Sequence, residues 1–103
     1  MIQHIVMFKF KETANGKTKA ENLREAKERM MALRDQIPQI QAMEVHFAAE
    51  GSAPTNYDYI LVSQFNSMEE LEIYQKHPAH VAFGKFVGEL REPDGRACMD
   101  YVL

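Results

Sequence analysis

The sequence predicts an α+β fold with the element order strand, helix, strand, strand, broken helix, strand, and three observations carry that order. Two helix starts are marked by a hydroxyl residue followed three positions later by glutamate, Thr18 with Glu21 and Ser67 with Glu70. At that spacing each side chain satisfies a free backbone N–H of the other. Four stretches rich in β-branched and aromatic residues alternate in hydrophobicity with the period of two expected of strands. Pro38 and Pro78 punctuate the helical stretches, because proline disfavours the helical region for the residue before it. This order is the split βαβ arrangement of a ferredoxin-like sandwich, a four-stranded antiparallel sheet with helices on one face.

Met1 to Lys11 alternates so that both faces are apolar, with Ile2, His4, Val6, Phe8 and Phe10 on one side and Ile5 and Met7 on the other, which describes a strand covered twice. Polar residues from Glu12 to Lys17, including Asn15-Gly16, predict a loop. The Thr18 cap then opens a helix whose apolar stripe is Leu23, Ala26, Met30, Leu33 and Ile37, with Arg24/Glu28 and Glu25/Arg29 paired on its solvent side. Pro38 ends it at Gln36 or Ile37. Ile40 to Glu50 reads as the second strand, Met43, Val45 and Phe47 opposing Glu44 and His46, and Gly51 to Asn56 as a long loop. Tyr57 to Phe65 is a third strand, again two-sided, with Tyr59, Leu61 and Phe65 against Ile60 and Val62. Leu71 and Tyr74 give the next helix its buried spacing; Pro78 suits the first position of a new segment whose apolar face is Phe83, Phe86, Val87 and Leu90. Pro93-Asp94-Gly95 predicts a turn with glycine at positive φ, and Arg96 to Leu103 the last strand, with Ala97, Met99, Tyr101 and Leu103 on one face.

At 103 residues this is expected to be one domain, residues 1–103, without repeats or linkers. A net charge of -3 supplies no basic field for phosphate backbones, so nucleic acid is not an expected partner. No apolar run approaches the ~20 residues that span a bilayer. The chain enters a strand pattern at once, so the expected address is cytoplasmic with no membrane association. The single cysteine, Cys98, excludes an internal disulfide and has no histidine near it in sequence, so it reads as a small packing residue. Helices on one face leave the other apolar face of the first and third strands uncovered, a patch larger than monomers usually expose. The expected cover is a second copy, sheet packed on sheet, burying at least ~1,200 Å².

At this point the residues resemble a known family. His4-Ile5-Val6-Met7-Phe8-Lys9-Phe10-Lys11, Tyr57 to Phe65, and above all Tyr74-Gln75-Lys76-His77-Pro78-Ala79-His80-Val81-Ala82-Phe83 look like the stress-responsive dimeric α/β-barrel (Dabb) family, a likeness that covers essentially the whole chain. The resemblance implies a ferredoxin-like fold and a homodimeric α+β barrel. The family includes plant proteins that respond to stress and a plant polyketide (olivetolic acid) cyclase, in which a tyrosine and a histidine at the Tyr74 and His80 positions serve an aldol-type ring closure. The family pattern implies that Tyr74 and His80 line a pocket between helices and sheet with His4, Val6 and Phe8 on its floor and Tyr59 and Leu61 beside them; His77 and Phe83 are further expected pocket residues. Ala26, Lys27 and Met30 stand where the cyclase carries bulky aromatics, which implies a different pocket shape and a different ligand.

On a continuous helix Tyr74 and His80 would diverge by about 240°; the break at Pro78 lets them converge. His80 in the first turn of the Pro78 helix faces free N–H groups and the positive end of the macrodipole, which favour the neutral imidazole a general base requires. His80 is therefore the candidate base for a proton next to a carbonyl, Tyr74 the candidate donor to the developing enolate, and His4 the candidate tautomer holder or polar anchor. The same residues also fit plain packing, Tyr74 as a core aromatic and His4 as a satisfied core histidine. His77 and His80 are three apart, yet His77 precedes the helix and no carboxylate is placed with them, so no metal and no cofactor is expected. Three functions remain open: a homodimeric binder of a small, mostly apolar molecule, a cofactor-independent cyclase or lyase, and a structural stress-response protein.

Overall fold

The computed structural model describes residues 1–103. Strand β1 (Ile2–Phe10) is followed by a two-residue hairpin, β2 (Thr13–Ala14) and β3 (Lys17–Thr18), then α1 (Lys19–Ala32) and a 3-10 turn over Leu33–Asp35. Next come β4 (Ala42–Phe47), β5 (Tyr59–Phe65), α2 (Met68–Lys76), α3 (Pro78–Leu90) and β6 (Arg91–Val102). The main sheet runs β4-β5-β1-β6 with every neighbouring pair antiparallel. This is the ferredoxin-like α+β fold that the element order predicts.

Burial alternates strictly along β1: Ile2, His4, Val6, Phe8 and Phe10 are buried beneath the helices, and the residues between them are half-buried on the opposite face. Strand β5 repeats the pattern with Tyr59, Leu61, Ser63 and Phe65 inward. One hydrophobic core joins the apolar residues among these to Ala26, Met30, Leu33 and Ile37 from the α1 region and to Leu71, Tyr74, Phe83, Val87 and Leu90 from α2 and α3. The opposite sheet face remains apolar: Ile5 pairs with Val62 and Met99, and Met7 with Ile60 and Ala97, forming a continuous patch across three strands.

Several expectations are corrected by long-range packing. The α-helical part of the first helix stops at Ala32; the Gln36 and Ile37 amides both donate to the Leu33 carbonyl, tightening the chain before Pro38. The Glu12–Lys17 loop contains a hairpin, with Asn15 at φ 52° and Gly16 at φ 74° as its turn residues. The second strand, Ala42–Phe47, is shorter than Ile40–Glu50, and Ile40 is buried in the core ahead of it. Thr18 and Glu21 form both halves of their capping box, whereas Ser67 only accepts from the Glu70 amide, and Glu70 Oε2 stays buried without a partner. Pro93-Asp94-Gly95 is no turn: it lies in β6, inside an irregularity where Phe10 pairs with Arg91 and Phe8 with Arg96. Gly95 does not take a positive φ; a Cβ there would lie 2.7 Å from the Lys9 carbonyl oxygen, so close strand approach is what demands glycine.

Candidate functional site

The break between α2 and α3 builds the site. His77 is extended (φ -61°, ψ 134°), its Nδ1 accepts from the Ala79 amide at 3.1 Å, and Pro78 opens α3. The imidazole of His77 therefore serves as the N-cap, satisfying one of the free donors at the helix start. The reorientation brings Tyr74 at the end of α2 against His80 in the first turn of α3, ring centroids 4.4 Å apart. Below them, the His4 ring from β1 meets Tyr74 edge-on at 6.2 Å.

His80 Nδ1 lies 3.0 Å from the Gln75 carbonyl oxygen. A carbonyl only accepts, so Nδ1 carries the proton and Nε2 presents the lone pair. Burial pushes the His80 pKa below its ordinary value; the Gln75 carbonyl works against this, and His4, Arg96 and His77 add to the depression. Tyr74 is fully buried, and its hydroxyl has no hydrogen-bond partner in the chain. Burial, with smaller effects of Tyr59 and Cys98, pushes its pKa well above the ordinary phenol value, so it remains a protonated donor.

His4 is buried, and its Nδ1 is hydrogen-bonded to the Asp100 carboxylate, its cross-strand partner on β6. That pairing assigns the Nδ1–H tautomer. Cys98, two residues away on β6, places Sγ 3.9 Å from the same nitrogen. Far from being buried packing, Cys98 is exposed, and the histidine absent from its sequence surroundings is supplied by the neighbouring strand. His4 Nδ1, Cys98 Sγ and an Asp100 oxygen lie within 4.8 Å of one another, a donor set suited to zinc. The Nδ1 proton is nevertheless held by Asp100, and partial desolvation of the thiol on its inner side pushes its pKa up, so these groups satisfy one another as they stand.

These side chains surround a cleft of about 130 Å³. Tyr74, His80, His4, Val6, Phe8, Leu61 and Phe83 all line it. Tyr59 does not: it is buried against the Phe8 and Phe10 rings, its hydroxyl donating to the Ala26 carbonyl at 3.2 Å. His77 does not either, being committed to the helix cap. Met30, whose position the resemblance tied to pocket shape, completes the wall with Gln75, Gly84, Val87, Arg91 and Arg96, which the sequence did not mark as pocket residues. Gly84 and Val87 follow His80 at helical spacing and were findable from that signal. Asp100 and the two arginines depend on the β1–β6 register, which no local pattern discloses.

The family model described as Stress Responsive A/B Barrel Domain (Dabb) matches residues 2–103. No curated protein matches the sequence. Among solved structures, a dimeric protein of unknown function with a ferredoxin-like fold from Bacteroides fragilis is 31% identical, with a TM-score of 0.84 over 99% of this chain and 95% of that one. A Dabb family protein from Mesorhizobium loti is 26% identical, TM-score 0.69, covering 99% and 95%. A hydroxynitrile lyase from Passiflora edulis shares the fold at 13% identity, TM-score 0.79, covering 99% and 92%.

Proposed function

Starting from the premise that the chain belongs to the stress-responsive A/B barrel (Dabb) family, matched over residues 2–103, we propose that it is a homodimeric binder of a small, mostly apolar molecule with a polar end. The observation that carries this reading is the Tyr74 hydroxyl, buried without a partner from the chain at the wall of a cleft whose apolar side is Val6, Phe8, Leu61 and Phe83. A buried hydroxyl left unpaired costs roughly 1–3 kcal/mol, and a polar atom of a ligand would relieve that cost. The cleft is close in size to engineered cavities of about 150 Å³ that hold benzene, so the body of the ligand is one ring or its equivalent. The second copy packs on the patch around Ile5, Met7, Ile60, Val62 and Met99; the dimeric description of the Bacteroides fragilis relative supports this. The cytoplasm is the compartment proposed.

One observation favours an enzyme as the second reading: His80 is held neutral by burial, with its Nε2 lone pair unused, beside the Tyr74 donor. In a cofactor-independent cyclase or lyase, His80 would remove a proton next to a carbonyl and Tyr74 would hydrogen-bond the enolate oxygen. His4, fixed by Asp100, positions the floor of the site. Small molecules carried through purification of untagged protein provide the test, read by native mass spectrometry on wild type, Tyr74→Phe, His80→Ala and a cleft-filling Leu61→Trp. The binding reading expects a retained molecule that Leu61→Trp expels. Retention unchanged in Leu61→Trp removes the cleft as the binding site. Turnover of the retained molecule that survives both Tyr74→Phe and His80→Ala removes the catalytic reading.

A further inference from the structure

The irregularity in β6 bears on which ligand the cleft selects. Residues five apart on a regular strand point to opposite faces. Here Arg96 pairs with Phe8 and Arg91 with Phe10, both inward-facing positions of β1, so Glu92–Gly95 stand opposite Lys9 alone and both arginines reach the cleft wall. Arg91 is steadied there by donating Nη1 to the Glu92 and Pro93 carbonyls at 3.2 and 3.1 Å, which leaves the rest of its fork uncommitted. Neither arginine enters any ion pair of the chain. The residues lining the cleft include no carboxylate, and Asp100 is hydrogen-bonded to His4. Two guanidiniums that form no ion pair therefore flank the cleft in a chain whose net charge is -3.

We infer that the cleft takes a small carboxylate, its apolar body lying against Val6, Leu61 and Phe83 and its anionic head held by Arg91 and Arg96. This rests on the reading of the cleft as a binding site and adds the charge class of what it binds. A guanidinium fork matches the plane and the two oxygens of a carboxylate, and charge-assisted pairs of this kind are stronger than neutral hydrogen bonds. The remaining polar feature of the ligand, a carbonyl or hydroxyl oxygen, meets the Tyr74 hydroxyl.

Phenylacetate and its uncharged isostere phenylacetamide are the probes, titrated into ¹⁵N-labelled full-length protein and followed at the amides of Gly84, Val87 and Arg96. The acid is expected to bind about tenfold more tightly than the amide, the preference shrinking as salt is raised. Arg96→Gln is expected to abolish most of that preference by weakening the acid far more than phenylacetamide. Arg91→Gln should act in the same direction; because Arg91 also steadies the irregular segment, Arg96→Gln provides the decisive variant. Equal affinity of acid and amide at these amides would overturn the carboxylate inference while leaving the cleft as a binding site. A preference that survives Arg96→Gln and Arg91→Gln overturns the assignment to the arginines. If neither probe moves the cleft amides, both the inference and the binding reading fall.

Discussion

At the scale of single residues, Tyr74 is the group under most tension between packing and function. Its ring sits in the core with Phe65 at 4.8 Å and His80 at 4.4 Å, while its hydroxyl goes unpaired. Deleting the hydroxyl as Tyr74→Phe is expected to stabilise the protein by about 1 kcal/mol, read as a higher urea midpoint at constant slope, and, on the proposed binding reading, to weaken retention of a molecule in the cleft. A lower midpoint would mean that the hydroxyl is satisfied in solution. His80 makes a second prediction. Its folded pKa lies below the ordinary 6.5, so the folded state binds fewer protons than the unfolded state between those values. The stability linked to neutral His80 is thus full above about pH 6.5 and is lost as pH falls through the folded pKa. His80→Gln should flatten this part of the stability–pH curve; an unchanged slope would assign the acid sensitivity to another group.

At the scale of elements, two glycines in neighbouring segments answer to different physics. Gly95 lies where β6 closes on β1, and a Cβ would meet the Lys9 backbone oxygen at 2.7 Å and Lys9 Cβ at 2.9 Å. Gly95→Ala is expected to cost about 1–3 kcal/mol by forcing the strands apart, and it should also displace Arg96 from the cleft. Gly88 sits on the exposed side of α3, where an added Cβ would have nothing within 4 Å. Gly88→Ala should stabilise by about 0.5–1 kcal/mol through helix propensity and a less flexible unfolded chain. Chemical denaturation of both variants checks the opposite signs. The α2–α3 break belongs to this scale as well, because the His77 cap and Pro78 set the angle at which Tyr74 meets His80.

At the scale of the whole molecule, the face of the sheet away from the helices remains to be covered. Met99 is 65% exposed and Tyr101 39% exposed beside the half-buried Ile5, Met7, Ile60 and Val62. A stable dimer buries at least about 1,200 Å² in total, and a patch spanning three strands is the surface from which it would be built. Multi-angle light scattering at micromolar concentration is expected to give a dimer for wild type and a monomer for Met99→Lys, whose charge would be stranded in the sheet-on-sheet interface. A monomeric wild type would remove the sheet-face dimer from the proposal. No helix is long and apolar enough to cross a membrane.

The amino-acid sequence by itself determined the order of elements, the helix starts at Thr18 and Ser67, the break at Pro78 and the two-sided character of β1. Each depends on neighbours a few residues apart, through capping hydrogen bonds, proline sterics or hydrophobic period. The pairing of Tyr74 with His80 was legible as a possibility because six residues and one proline separate them. Where local propensity competed with strand pairing it lost, as at Pro93-Asp94-Gly95, whose turn chemistry is overridden by the ladder to β1. The tertiary structure alone decided the partners that come from opposite ends of the chain. His4 meets Asp100 across 96 positions, Cys98 acquires a histidine, and two arginines are turned into one cleft. Strand register and its irregularities are set by the packing of the whole sheet, and a one-residue shift would exchange the two faces and every side chain on them.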